Sequence, residues 1–180
     1  MAMGPGLRKF ALTAHVTSSV GWLGAVAVFL ALAVAGLTHA DSGTVRAAYI
    51  AADLITRFVI LPLAVVALLT GIVQGLGTAW GLFRHYWVTI KLLLTVLAAL
   101  LLLLHTHPIG VVADAAAKTA LSAADLRGLR IQLVADAGAA LLVLLVNATL
   151  SVYKPRGMTP YGRRKRCSAG INSTDPGRTP

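Results

Sequence analysis

The 180-residue chain has no glutamate and a single cysteine, Cys167. Its six acids are all aspartate, set against 16 lysines and arginines. Charged residues make up only 12% of the chain and aromatics 6%. Each shortage excludes something. One cysteine rules out an intramolecular disulfide and any multi-cysteine metal or iron–sulfur site. So little charge cannot cover a soluble core with a polar surface. HExxH and CxxC are both missing, and no nucleophile, base and orienting group occur at a recognisable spacing. An enzyme is therefore the least supported reading. The net charge of +10 comes with no nucleic-acid recognition motif. The basic residues instead flank apolar runs or gather in one tail, as topology signals do.

What is present is hydrophobicity: 57% of residues, with a mean hydropathy of +0.79. Four apolar runs are long enough to cross about 30 Å of hydrocarbon, which takes roughly 20 helical residues. They cover about Phe10–Leu37, Ala47–Leu76, Tyr86–Thr106 and Ile131–Tyr153. Helix is the form that satisfies its own backbone in lipid, and the period-two alternation of a membrane barrel is absent. The fold expected is all-α: a four-helix transmembrane bundle, up-down-up-down, over residues 1–160. A basic, disordered cytoplasmic tail is expected over 161–180. A secretory signal peptide is the competing reading of the first run. Arg8 and Lys9 would be its basic region and Thr38-His39-Ala40 its cleavage site, but the run is too long and carries His15 inside.

Nine basic residues (Arg8, Lys9, Arg84, Lys154, Arg156, Arg163, Arg164, Lys165 and Arg166) flank the spans on one side, and four (Arg46, Lys118, Arg127 and Arg130) on the other. This asymmetry predicts both termini in the cytoplasm of a multi-pass inner (plasma) membrane protein. Pro62 predicts a kink in the second span. The connection Pro108–Arg130 is expected to lie partly on the membrane surface. A helix start is expected near Ser122, where Ser122 and Asp125 form a capping-box pattern.

Polar residues inside the spans are costly and so carry the most information. His15, Ser18, Ser19 and Trp22 share one face of the first helix. With His85 and Lys91 they form an expected inner cluster, in which Lys91 snorkels back to the headgroups. Asp53 and Arg57, four apart with the acid first, predict an ion pair on the second span. Gly71 and Gly75 predict a close helix contact on the same stripe. Asp136 of the fourth span is expected to join Asp53 and Arg57 in a structural network, with His105 and His107 at a similar depth.

Three functional readings follow. The first is a non-enzymatic structural or accessory membrane component, whose partners are the bilayer and a membrane-protein partner or further copies of itself, and not nucleic acid. The second is a cofactor protein, with His15 and His85 as haem b ligands, or copper or another metal held by His105, His107 and Asp136. The third is a small oligomeric transporter or channel subunit using Arg57 and Asp136.

At "WGLFRHYWVTIK" (80–91) and "LSVYKPRGMTPYGRR" (150–164) the chain resembles a family of uncharacterised small four-span bacterial integral membrane proteins. The likeness reaches to about Lys165 and implies the four-span fold but no activity. The chain is also distantly similar to the copper-resistance D type membrane domain. Trp22-Leu23-Gly24 stands in the place of that domain's W-x-G element. That likeness implies copper handling and points to His15. The methionine-rich runs of a copper importer are missing, since Met1, Met3 and Met158 all lie outside the spans.

Overall fold

A computed structural model describes residues 4–77, 86–118, 125–153 and 159. The described residues are helical and contain no strand. Helix α1 is Pro5–Thr38, α2 Ser42–Ile55, α3 Leu61–Gly77, α4 Tyr86–Ala117 and α5 Asp125–Tyr153. A π-helical turn, Thr56–Ile60, joins α2 to α3. This gives four continuous helices long and apolar enough to cross a membrane: Pro5–Thr38, Ser42–Gly77, Tyr86–Ala117 and Leu126–Tyr153. Large apolar side chains stand exposed along every one of them, among them Phe10, Phe58, Leu69, Leu93, Leu104 and Leu142. In water such a surface would aggregate, whereas in hydrocarbon it is the solvated face.

Helix α1 packs against α2, α3 and α5, and α4 packs against α2, α3 and α5. Each span therefore has two main neighbours, in a closed ring. The core runs down the middle, from Trp22, Val26 and Phe29 of α1 through Tyr49 and Ile60 to Val112, Leu133 and Leu144.

Local sequence explains the element boundaries. Pro5 starts α1 where a missing N–H costs nothing. Asp41 caps α2: its Oδ2 accepts from the Thr44 amide at 2.7 Å and the Thr44 hydroxyl at 2.7 Å. The Thr44 hydroxyl, then the Thr44 and Gly43 amides, hold the Asp41 carboxyl below the usual carboxylate range. A depressed value stabilises the fold at neutral pH, and that contribution is lost as pH falls through it. Acid titration monitored by proteolysis near residue 40 is expected to loosen this turn. Asp41→Asn, which still caps, is expected to remove the acid dependence.

Two expectations change on contact with the structure. Pro62 does not simply kink its helix. The ladder widens one turn earlier, and the Leu61 N–H bonds to Thr56 O, five residues back. A π turn absorbs the hydrogen bond the proline cannot make. The second change concerns the connection after the third span. Residues Pro108–Ala117 continue α4 rather than lying apart, and they contain all of its buried residues: Ile109, Val112, Ala113 and Ala116. Packing on α2 and an alanine-rich sequence outweigh the one hydrogen bond lost at Pro108. The expected helix start at Ser122 and the tail over 161–180 lie outside the described residues.

Candidate functional site

The polar side chains of the spans gather into two layers and two pairs, His105 with Asp136 and Asp53 with Arg57. The first layer centres on His15. Its Nδ1 lies 3.1 Å from Ala67 O and 3.2 Å from Thr70 Oγ1, both on α3. The carbonyl can only accept, so Nδ1 carries the proton in that bond. Gly71 makes this approach workable, because a Cβ there would sit 3.1 Å from His15 Cε1. Gly71 of the expected close-contact stripe is thus part of the seat of α1, and Gly75 is buried on the same helix. Gln74 Nε2 adds a bond across the same interface to Ala11 O at 2.9 Å, while Ser18 turns back to His15 O at 3.1 Å.

Lys91 lies within electrostatic reach of His15. It does not snorkel as expected. Its Nζ donates to Ser151 Oγ on α5. Ser151 donates to Asn147 O at 3.0 Å, Asn147 Nδ2 to Thr95 Oγ1 at 2.9 Å, and Thr95 to Lys91 O at 2.8 Å. This closed circuit ties α4 to α5. Thr95 and Ser151 were not singled out in the sequence, since each is one hydroxyl in an apolar run.

The second layer was also missed. Arg130 Nε donates to Tyr49 Oη at 2.9 Å, and its Nη2 to Gly36 O. Its guanidinium carbon lies 5.4 Å from the Tyr49 ring centroid, in cation–π range. One arginine thereby joins α1, α2 and α5. Tyr49 is only 1% exposed. In the sequence, Arg130 reads only as a flanking charge.

The spacing between the layers is informative. Gly36 follows His15 by 21 residues, and Ser151 follows Arg130 by 21. At 1.5 Å per residue both intervals are about 31 Å, the thickness of a bilayer's hydrocarbon.

The first pair is His105 and Asp136, the latter about 9 Å along α5 from Arg130 at 1.5 Å per residue. His105 Nε2 approaches Asp136 Oδ2 at 2.9 Å. The approach is poorly aligned, and no other donor among the described residues satisfies Oδ2. His105 Nδ1 lies 2.7 Å from Leu101 O, so that nitrogen is the donor, and Gln132 Nε2 approaches His105 Nε2 at 3.5 Å. Both side chains line a cavity of about 180 Å³. The rest of its wall is apolar except for Thr56, whose hydroxyl donates to Ala52 O at 2.8 Å; Trp22 and Phe29 lie on one side and Ala98, Ala137 and Ala140 on the other.

Asp136 therefore does not join Asp53 and Arg57 as expected. Those two pair with each other, Arg57 Nε lying 2.8 Å from Asp53 Oδ1. Arg57 Nη2 rests 3.0 Å from where a Gly110 Cβ would be, on α4. For the metal reading, His105 and Asp136 come together but His107 is exposed. Among the described residues no three His, Cys or acidic side chains converge. For the haem reading, His15 sits against α3 with Nδ1 engaged, and His85 lies outside the described residues.

The fold and these contacts define a class, an all-helical protein with four membrane-length apolar helices. Nothing narrower comes from comparison: no family model, no curated protein and no solved structure matches the chain.

Proposed function

We propose that this chain is a non-enzymatic accessory component of the plasma membrane, a four-span up-down-up-down bundle with both termini in the cytoplasm. The observation that carries the reading is how the intramembrane polar groups are used. His15, Gln74, Lys91, Asn147 and Arg130 each bond to a neighbouring helix. They act as glue between spans, where a transport path would need them facing a common passage. The contacts also favour antiparallel neighbours. The His15 layer meets α3 near its end, and the Arg130 layer meets α2 near its start. Basic flanking charge then places the His15 layer on the cytoplasmic side.

The test is purification in mild detergent, with an absorption spectrum, metal analysis and identification of co-purifying chains. No Soret band, no stoichiometric metal and a retained membrane-protein partner or homo-oligomer are expected. A haem spectrum that His15→Ala abolishes would replace this reading with the cofactor one. Cys167, the only cysteine, reports sidedness. An impermeant maleimide is expected to label it in inverted vesicles and not in intact cells, and the opposite pattern would reverse the topology.

A further inference from the structure

The cavity beside His105 and Asp136 is built differently from the rest of the bundle. Helix α4 has no buried residue from Tyr86 to Pro108, although it continues to pack along its neighbours. The reason is the facing wall. Ala98 of α4 meets Ala137 and Ala140 of α5 across the gap, and alanine leaves unfilled space that leucine would close. The lining residues Leu97 and Leu101 of α4 and Ala139 of α5 are exposed. The mouth therefore lies between α4 and α5, among apolar side chains, and opens to the region that lipid occupies. The volume, about 180 Å³, slightly exceeds the roughly 150 Å³ that admits a benzene ring in an engineered apolar cavity.

With the Thr56 hydroxyl spent on Ala52 O, the His105–Asp136 pair is the polar feature left in this space. Asp136 Oδ2 is tucked against His105, while the remainder of the side chain stays 38% exposed. That leaves Oδ1 as the carboxyl oxygen open to a ligand. Oδ1 acts there as an acceptor. Apart from His105 and Asp136, the lining carries no ionisable side chain. A matching ligand is uncharged, holds one apolar ring, and carries one hydroxyl donor.

We propose that this cavity binds lipid-soluble phenols, the ring lying between Trp22, Phe29 and the alanine wall and the hydroxyl donating to Asp136. Quinol head groups belong to the same chemical class. The ligand reaches the site from the bilayer through the α4–α5 gap. No bond is made or broken; the site is one of recognition.

The experiment uses the full chain in liposomes with an alkylphenol carrying a diazirine on its alkyl chain. After photolysis, mass spectrometry maps the adducts. Labelling is expected on α1, α4 and α5 at the cavity lining. Unlabelled alkylphenol should reduce it at least fivefold, and its methyl ether, identical in shape but without the donor, should not. Ala140→Leu, which fills the space, should cut labelling at least fivefold, and Ala98→Leu provides the same test from the opposite wall. Asp136→Asn should weaken phenol competition about tenfold, because it replaces the carboxyl acceptor by an amide. Equal competition by phenol and methyl ether would overturn the proposal in favour of an apolar slot for acyl chains. Labelling that survives both leucine variants in folded, monodisperse protein would also overturn it.

Discussion

Gly36→Ala is expected to destabilise the bundle by about 2–3 kcal/mol, the cost of overpacking a rigid site. A Cβ at position 36 would lie 2.6 Å from Tyr49 Cζ, 2.7 Å from Cε2 and 3.0 Å from Oη. None of these atoms is the free end of a flexible chain. The Tyr49 ring is fully enclosed, its hydroxyl is held by Arg130, and the same arginine donates to Gly36 O. Moving the ring to admit a methyl group would break the Arg130 contacts that join three helices. Two other glycines of α1 provide the contrast. At Gly21 a Cβ would meet Leu63 Cδ1 at 3.2 Å, the mobile tip of a side chain, so Gly21→Ala is expected to cost under about 1 kcal/mol. At Gly24 nothing lies within 4 Å, and Gly24→Ala is expected to be neutral or to stabilise by up to about 1 kcal/mol through helix propensity. Unfolding in mixed detergent micelles reads all three. A Gly36→Ala loss no larger than that of Gly24→Ala would show that the Gly36–Tyr49–Arg130 contact does not form. Coupling supplies an internal check: in a Tyr49→Leu background the Gly36→Ala cost should shrink, because the obstructing ring is gone.

How much of this was readable beforehand depends on the range of the interaction. The four spans follow from composition, and each lies within a helix of the structure. Asp53 with Arg57 was legible because both partners sit on one helix, four residues apart. The close approach at Gly71 was legible because small residues on one face have few other uses in a membrane helix. His15 was legible as an inward-facing group, but its partner was not. Ala67 O is a backbone atom, and nothing in the identity of residue 67 advertises its carbonyl. The same holds for Arg130, whose partners are Tyr49 and another carbonyl. Asp136 shows how depth reasoning fails. Residues at one level of a bundle can point to different neighbours, and rotation about the helix axis sends Asp136 to α4 instead of α2. The widened turn at Thr56–Ile60 contributes to such rotations, since each extra residue in a turn shifts every later side chain. The cavity had no sequence signature either, because it arises where alanines of two helices happen to face each other.

The His105–Asp136 pair should show strongly unequal single-variant effects. His105→Leu leaves a carboxyl with no satisfied oxygen donor nearby, facing an apolar wall. Breaking a buried pair costs about 3–5 kcal/mol, and the partial exposure of both side chains, 24% and 38%, reduces the expectation to about 2 kcal/mol. Asp136→Leu should cost less, about 1 kcal/mol. His105 keeps its Nδ1 bond to Leu101 O and its approach to Gln132, and loses only the contact of Nε2 with Asp136. The double variant should cost no more than Asp136→Leu and is expected to recover some stability, since an apolar pair fills the site without desolvating any polar group. A double-mutant cycle in mixed micelles therefore predicts a coupling near 2 kcal/mol, with the order His105→Leu worst, Asp136→Leu intermediate and the pair of leucines mildest. Additive losses would mean that the 2.9 Å approach carries no energy. Equal single losses would mean that each side chain depends on the other to the same degree, which would overturn the asymmetry argued from the Leu101 bond.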